Sequence, residues 1–302
     1  MRLFNIRECN GEKAGYMAIG FFDSIHLGHK KVIERAVSFA REHHSISSVF
    51  LFRNNIYELI GVNKSPLFSF EERIREIERS GIDIIFYLDA DKAFLDLSPE
   101  DFVSFLRSRL RVDGIICGAD FTYGRDGIGK AEDILRAFPN GEIVDLYYLS
   151  NKKVSTSSLK DLLQQGDIRT VNQMLGRPFS FAQKVVAGRS DGKKIGFPTI
   201  NMPFPSGIVR DGVYISETVV NGSVYKSLTN IGSHPTYNDA RENAETYILD
   251  FDGTLYGESP TINLLDRLRD IKRFDSVQAL IEQIEKDVVI RRNYDPIRSI
   301  GN

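Results

Sequence analysis

The sequence predicts two domains of different class, α/β followed by all-β: a doubly wound parallel sheet, then an antiparallel β-barrel with a terminal helix. Three observations carry this. The chain has 302 residues, a length at which one core stops growing and chains divide. Short apolar runs alternate with helical periods over the first half, whereas strands follow one another with little helix between them in the second. Asn221-Gly222 between two alternating runs is a strong hairpin signal.

In chain order, the first strands are Tyr16–Phe22, Ser47–Phe52, Ile82–Leu88, Gly114–Gly118 and Val144–Leu149. Their runs are apolar on both faces, as a sheet covered by helices on both sides requires. Between them, Leu27–His43, Phe70–Ser80 and Pro99–Arg111 carry apolar residues three and four apart. The third has its own start signal: Ser98 as cap, Pro99 at the first helical position, then Glu100 and Asp101. The period changes after a helical span that ends near Gly176–Phe181, which predicts domains 1–172 and 173–302 without a Gly/Ser- or Pro-rich linker. Gly212–Gly232 then reads as two strands, Ala244–Phe251 and Pro260–Asp266 as two more, and Ser276–Arg292 as the closing helix.

Composition narrows the partners. With 39 Lys+Arg against 41 Asp+Glu, the net charge of -2 supplies no field for drawing in nucleic acid or an anionic membrane. No basic-aromatic repetition appears, so an RNA-binding module is disfavoured. No apolar run approaches the roughly 20 residues of a membrane span, and no cationic, apolar leader is expected. Cys9 and Cys117, far apart, read as free thiols of a reducing compartment, so a cytoplasmic protein acting on small molecules is expected.

The stretch Gly20–His29, GFFDSIHLGH, holds two of the five histidines at a junction of strand and helix. Such a turn offers backbone N–H groups to phosphate, and imidazoles can add donors. The plainer reading is a pair of capping and surface histidines. Zinc is a poor fit, because no cysteine lies close by, and the stretch lacks the Gly-rich arc of a Walker loop. Asp250–Gly257, DFDGTLYG, copies the Asp-x-Asp-Gly-Thr of haloacid-dehalogenase-type phosphatases. That motif must close the first strand of a doubly wound domain, and only about 50 β-rich residues follow it here, so a turn between barrel strands is expected.

Five stretches in order resemble the bacterial bifunctional riboflavin kinase/FAD synthetases, over about residues 16–292. They are GFFDSIHLGH, GADFTYGRDGIG (Gly118–Gly129), VSTSSLK (Val154–Lys160), LGRPFSF (Leu175–Phe181) and GKKIGFPTINM (Gly192–Met202). The resemblance implies a nucleotidylyltransferase-like first domain that makes FAD from FMN and ATP. It implies a riboflavin-kinase-like barrel that makes FMN from riboflavin and ATP, both steps with Mg2+. Gly20, Phe22, Asp23, His26, Gly28, His29, Ser155, Thr156, Ser157 and Lys160 are then expected around ATP in the first site, with Asp120 and Tyr123 on its adenine and flavin sides.

In the kinase, the resemblance implies Gly188, Gly192, Lys194, Gly196, Pro198, Thr199 and Asn201 at ATP, with Thr199 and Asn201 toward Mg2+. It implies Glu245 as base, and Arg269 and Phe274 at the flavin. Alternation adds that Thr199 and Asn201 leave one face of an extended segment. Taken without the resemblance, the stretch around FPTINMPFP is a proline-stiffened loop over a barrel end. The sequence departs from the family pattern at Ser24 for Gly, Lys160 for Arg, and in LFRNNIYEL (Leu51–Leu59). Two other readings stay open: a kinase with a degenerate first domain, and a flavin-binding regulatory protein with little turnover.

Overall fold

The computed structural model describes residues 1–62, 66–188, 191–232 and 243–295. The chain divides into two compact units, Met1–Thr156 and Ser157–Asn302.

The first unit runs β1 (Arg2–Asn5), β2 (Glu12–Ile19), α1 (Leu27–Glu42), β3 (Ser47–Phe52), α2 (Ile56–Leu59), α3 (Phe70–Arg79), β4 (Ile84–Leu88), α4 (Lys92–Leu95) and α5 (Pro99–Arg109). It continues through β5 (Leu110–Gly118), β6 (Thr122–Tyr123), β7 (Gly129–Lys130), α6 (Ala131–Ala137), β8 (Glu142–Val144), β9 (Tyr148–Leu149) and β10 (Lys152–Lys153). Its main sheet has the order β1-β4-β3-β2-β5-β8, and every pair is parallel. Side-chain alternation builds two cores from the same strands. Met17 and Ile19 face a cluster with Phe102 and Leu106 of α5, whereas Tyr16 and Ala18 face Ile33, Ala36 and Val37 of α1. That is the double winding expected. Chain order reverses between β2 and β5, and in such sheets ligands bind at the carboxyl ends of the strands on either side of the reversal.

Several elements differ from expectation: β2 covers Glu12–Ile19 where Tyr16–Phe22 was expected, and β4 begins at Ile84 where Ile82 was expected. The edge strand β1 is too short and too polar to show a period. Leu110 and Arg111 extend β5 rather than α5. Val144–Leu149 is not one strand: β8 stops at Val144, where its partner β5 also ends at Gly118. Tyr148 and Leu149 instead pair with Lys152 and Lys153 across Ser150 and Asn151, both at positive φ.

The second unit contains α7 (Thr156–Gln165, its first residue closing unit one), α8 (Ile168–Leu175), β11 (Phe179–Ala182), α9 (Asp191–Lys194), β12 (Thr199–Pro203), β13 (Gly212–Val220), β14 (Ser223–Ile231), β15 (Asn243–Ile248), β16 (Thr261–Arg269) and α10 (Val277–Asn293). The antiparallel order is β11-β16-β13-β14-β15-β12. Val220 pairs with Ser223, so Asn221 (φ 49°) and Gly222 (φ 81°) form the predicted two-residue hairpin. The sheet curls into a half-barrel whose two ends meet at one isolated bridge, Val186 to Asn201, instead of a full ladder. Pro198 and Pro203 bracket this contact, and proline has no N–H for a continuing ladder. Asp250–Gly257 is a loop between β15 and β16, as expected.

One side of this sheet is unusually polar for a core. Ser216, Thr218, Ser227, Thr229 and Thr246 are fully buried and joined hydroxyl to hydroxyl at 2.8–3.0 Å. Each hydroxyl can both donate and accept, so the ladder satisfies itself. The buried Arg291 of α10 donates from Nε to the Ser216 and Ser227 carbonyls at 2.8 and 3.2 Å. We expect Arg291→Met to cost about 3 kcal/mol, because two buried carbonyls lose a charged donor. Urea unfolding followed in the second unit checks this.

Candidate active sites

At the reversal in the first sheet, β2 runs into a tight turn. Phe22 (φ 43°) and Ile25 (φ 45°) take the left-handed conformation that such residues avoid, and both are buried, so packing holds the strain. Ser24 has no positive φ and therefore does not need to be glycine. Its buried hydroxyl lies 3.0 Å from Thr156 Oγ1, tying the turn to the residue that opens α7.

His26 caps α1: its Nδ1 accepts the N–H of His29 at 3.1 Å. The two rings stack with centroids 3.7 Å apart and an interplanar angle of 16°. A Cβ on Gly28 would stand 3.1 Å from the His26 ring, tighter than most such contacts. Burial, and then His26, push the His29 pKa well below the usual imidazole value. Asp23 is buried beside them and accepts from Leu67 N–H at 2.9 Å and Tyr57 OH at 3.5 Å. Burial first, then the Asp23 charge, raises the Tyr57 phenol to about 12. The buried Arg73 of α3, which the sequence did not single out, faces the Asp23 charge.

The other first-site expectations scatter. Asp120 follows β5 at the same strand ends and pairs with Lys153 at 2.6 Å. Tyr123 points into the core, buried and stacked on Phe121 at 5.7 Å. Ser155 precedes α7, and Ser157 and Lys160 lie in its opening turns within the second unit. The divergent segment after β3 makes an orderly turn: Asn54 exchanges two hydrogen bonds with Ala90, and Asn55 caps α2. Cys9 and Cys117 are buried free thiols, raised to about 11 and 12 chiefly by burial, which keeps them un-ionised.

In the second unit, the sheet face opposite the hydroxyl ladder opens on a cavity of about 480 Å³ walled by α10 and the segment before it. Antiparallel register sets Asn201, Glu245 and Asn230 in one row across β12, β15 and β14, and Thr199, Tyr247 and Leu228 in the next. Thr199 Oγ1 donates to Glu245 Oε1 at 2.6 Å. Thr199, Glu245, Asn230, Arg269, Phe274 and Gly192 all line the cavity. Gly188, Lys194, Gly196, Pro198 and Asn201 are not among its lining residues. Gly188 nevertheless has a visible reason: a Cβ there would sit 2.1 Å from Asn201 Nδ2.

Arg269 is committed inward. Its Nε and Nη2 bind Asp287 at 2.9 and 2.8 Å, and its Nη1 reaches the Asp270 carbonyl at 3.1 Å. Gln283 donates to the same carboxylate at 2.8 Å. Asp287, almost fully buried on α10, therefore fixes this cavity wall. Asp287→Asn is expected to weaken binding of a ligand in this cavity about tenfold, some 1.4 kcal/mol, which titration calorimetry checks. Asn230, Tyr247 and Asp287 were missed. Alternation along Ser223–Ile231 could have exposed Asn230, whereas nothing in α10 marks Asp287 as cavity wall.

Comparison with known proteins finds a family for each half of the chain. The FAD synthetase family model matches residues 9–158, and the riboflavin kinase family model matches residues 175–294. The bifunctional riboflavin kinase/FMN adenylyltransferase of Bacillus subtilis (strain 168) is 33% identical over 282 residues, 90% of this chain and 89% of that protein. That of Listeria monocytogenes is 32% identical over 281 residues, again 90% and 89%. A crystal structure named as a macrolide-efflux protein from Streptococcus pneumoniae superposes with a TM-score of 0.88 at 26% identity, covering 98% of this chain and 99% of that one. Efflux is said of that protein; among the described residues here, no helix is long and apolar enough to cross a membrane.

Proposed function

The chain belongs to the bifunctional riboflavin kinase/FMN adenylyltransferase family, and from that premise we propose how its residues divide the two reactions. It is an enzyme that phosphorylates riboflavin with ATP to give FMN, and adenylylates FMN with ATP to give FAD. We assign adenylyl transfer to residues 1–172 and phosphoryl transfer to residues 173–302.

For adenylyl transfer, an oxygen of the FMN phosphate attacks the α-phosphorus of ATP in line as pyrophosphate leaves. Positioning and charge stabilisation do most of the work. His26 and His29 hold the polyphosphate where α1 begins. Gly20 and Gly28 let it approach, and Ser155 and Thr156 add hydroxyls, with Ser157 and Lys160 following on α7. Asp23, beside the histidines at the strand end, also braces the turn by accepting from Leu67 N–H and Tyr57 OH. Asp120 keeps its place on the adenine side. Tyr123, turned into the core, supports the loop from beneath.

For phosphoryl transfer, the carrying observation is the Thr199–Glu245 hydrogen bond of 2.6 Å inside the cavity. Glu245 orients the ribityl 5'-hydroxyl and accepts its proton late. Ile195, Phe197, Tyr247, Phe274 and Leu280 give the flavin ring apolar walls, while Arg269 holds one wall in place. Gly188, Gly192, Lys194, Gly196 and Pro198 form the cover over ATP.

Mg2+ is the metal we assign. Thr199 and Asn201 offer hard neutral oxygens, and Asn201 packs so closely on Gly188 that a Cβ there would sit 2.1 Å from its Nδ2, which holds the carboxamide in place. Among the described residues no cluster of three His, Cys, Asp or Glu forms a metal cage, which suits an ion held largely by phosphates. When bound, it neutralises charge on the transferring group. We place the enzyme in the cytoplasm, in keeping with its free thiols.

The test is chromatography of flavins after incubation with Mg-ATP and riboflavin, then separately with Mg-ATP and FMN. FMN and FAD are expected in the first, FAD in the second, and neither when the metal is chelated. Turnover undiminished by chelation would overturn the metal assignment.

A further inference from the structure

The first bond of α1 constrains the chemistry of its own capping residue. His26 Nδ1 accepts the His29 N–H at 3.1 Å. A ring nitrogen that accepts carries no proton, so neutral His26 has its one proton on Nε2. A second proton could enter only at Nδ1, by expelling the cap. Two further features oppose charge on this pair. The His29 ring lies flat on His26 at 3.7 Å, so a positive charge on one ring opposes a charge on the other. His29 Nδ1 is also buried with no hydrogen-bond partner among the described residues, where a proton would go unsatisfied.

The surrounding charged and titratable groups are arranged consistently with this. Asp23, in the same turn, gives its carboxylate to Leu67 N–H and Tyr57 OH and faces the Arg73 guanidinium of α3. Tyr147, from the connection between β8 and β9, stands opposite Gly28. Phe22 meets His29 edge-on at 5.3 Å.

Resting on the phosphate role assigned above, we propose that His26 works as a neutral donor, its Nε2–H tautomer fixed by its own helix cap. The pair thereby presents N–H dipoles, and no imidazolium charge, to the incoming polyphosphate. Binding of a polyphosphate here takes up no proton, and the helix start stays intact through the reaction.

The full chain, labelled with 15N at histidine, gives the direct readout. At pH 7.5 the long-range 1H–15N spectrum of His26, assigned by comparison with His26→Asn, should show a pyridine-like Nδ1 and a pyrrole-like Nε2, with and without inorganic pyrophosphate. Pyrophosphate titration calorimetry in two buffers of different ionisation enthalpy should give the same apparent enthalpy. An imidazolium, an Nδ1–H tautomer, or uptake of about one proton per pyrophosphate overturns the proposal.

Variants separate the cap from the donor. His26→Asn keeps an accepting oxygen and an N–H donor, and should retain the melting temperature and about a tenth of FAD formation. His26→Asp keeps the cap but replaces the donor with a negative charge, and should match that melting temperature while losing at least a hundredfold in FAD formation. Equal rates for His26→Asn and His26→Asp count against the donor. If the spectra are as expected but no variant alters FAD formation, the phosphate role itself is overturned.

Discussion

Glu245→Gln should all but abolish FMN formation, lowering kcat by roughly 10²–10⁴-fold, while FAD formation from supplied FMN continues at the wild-type rate. The substitution keeps the side-chain volume and an oxygen for the Thr199 hydroxyl to donate to. It removes only the negative charge and the capacity to take a proton, the two properties that the proposed base role needs. The cross-strand row Asn201–Glu245–Asn230 is otherwise preserved, so the cavity should keep its shape and its affinity for flavin. Riboflavin binding by fluorescence, measured beside turnover, separates loss of chemistry from loss of binding. An equal fall in both reactions would show that Glu245 serves the fold rather than the kinase step.

His29→Ala should give the opposite pattern. FAD formation from FMN is expected to fall by roughly 10²–10³-fold, the cost of losing one preorganised donor to developing charge, with riboflavin phosphorylation unchanged. The substitution leaves the main-chain N–H of residue 29, so the cap to His26 Nδ1 can persist. It removes the stacked ring and little else. A melting temperature near that of the parent would therefore be informative, because the effect would then belong to the reaction. An unchanged FAD yield would eliminate the phosphate role of His29.

The centre of the doubly wound half was legible because β2, β3 and β4 are buried on both faces, and runs such as Ser47–Phe52 carry that constraint in their composition. Asn221-Gly222 was legible for a different reason: a two-residue hairpin needs positive φ at both positions. What escaped was set by pairing at a distance. The six-residue span Val144–Leu149 reads as one apolar run, yet its ladder ends where β5 ends. The incomplete closure of the half-barrel depends on how far β12 travels past Val186, which no local pattern encodes.

The candidate sites divide in the same way. Thr199 and Glu245 lie far apart in sequence, and the resemblance alone put both in one site; the pairing of β12 with β15 then brings them together. The resemblance put Tyr123 on the flavin side, whereas its ring completes an aromatic cluster with Phe102 and Phe121. Arg269 was expected at the flavin from the resemblance. Its fork is filled by Asp287, a residue on a helix whose polar stripe Gln283, Asp287 and Arg291 turns toward the sheet, where a pattern based on apolar faces expects the reverse.

A sheet that closes on itself through a single bridge has a seam, and the residue at that seam, Asn201, is also one we give to the nucleotide and its metal. On that assignment, nucleotide binding and zipping of the edge are expected to go together. Deuterium uptake at the Val186 amide, which donates to the Asn201 carbonyl at 2.9 Å, should slow when Mg-ATP is present and stay fast with riboflavin alone.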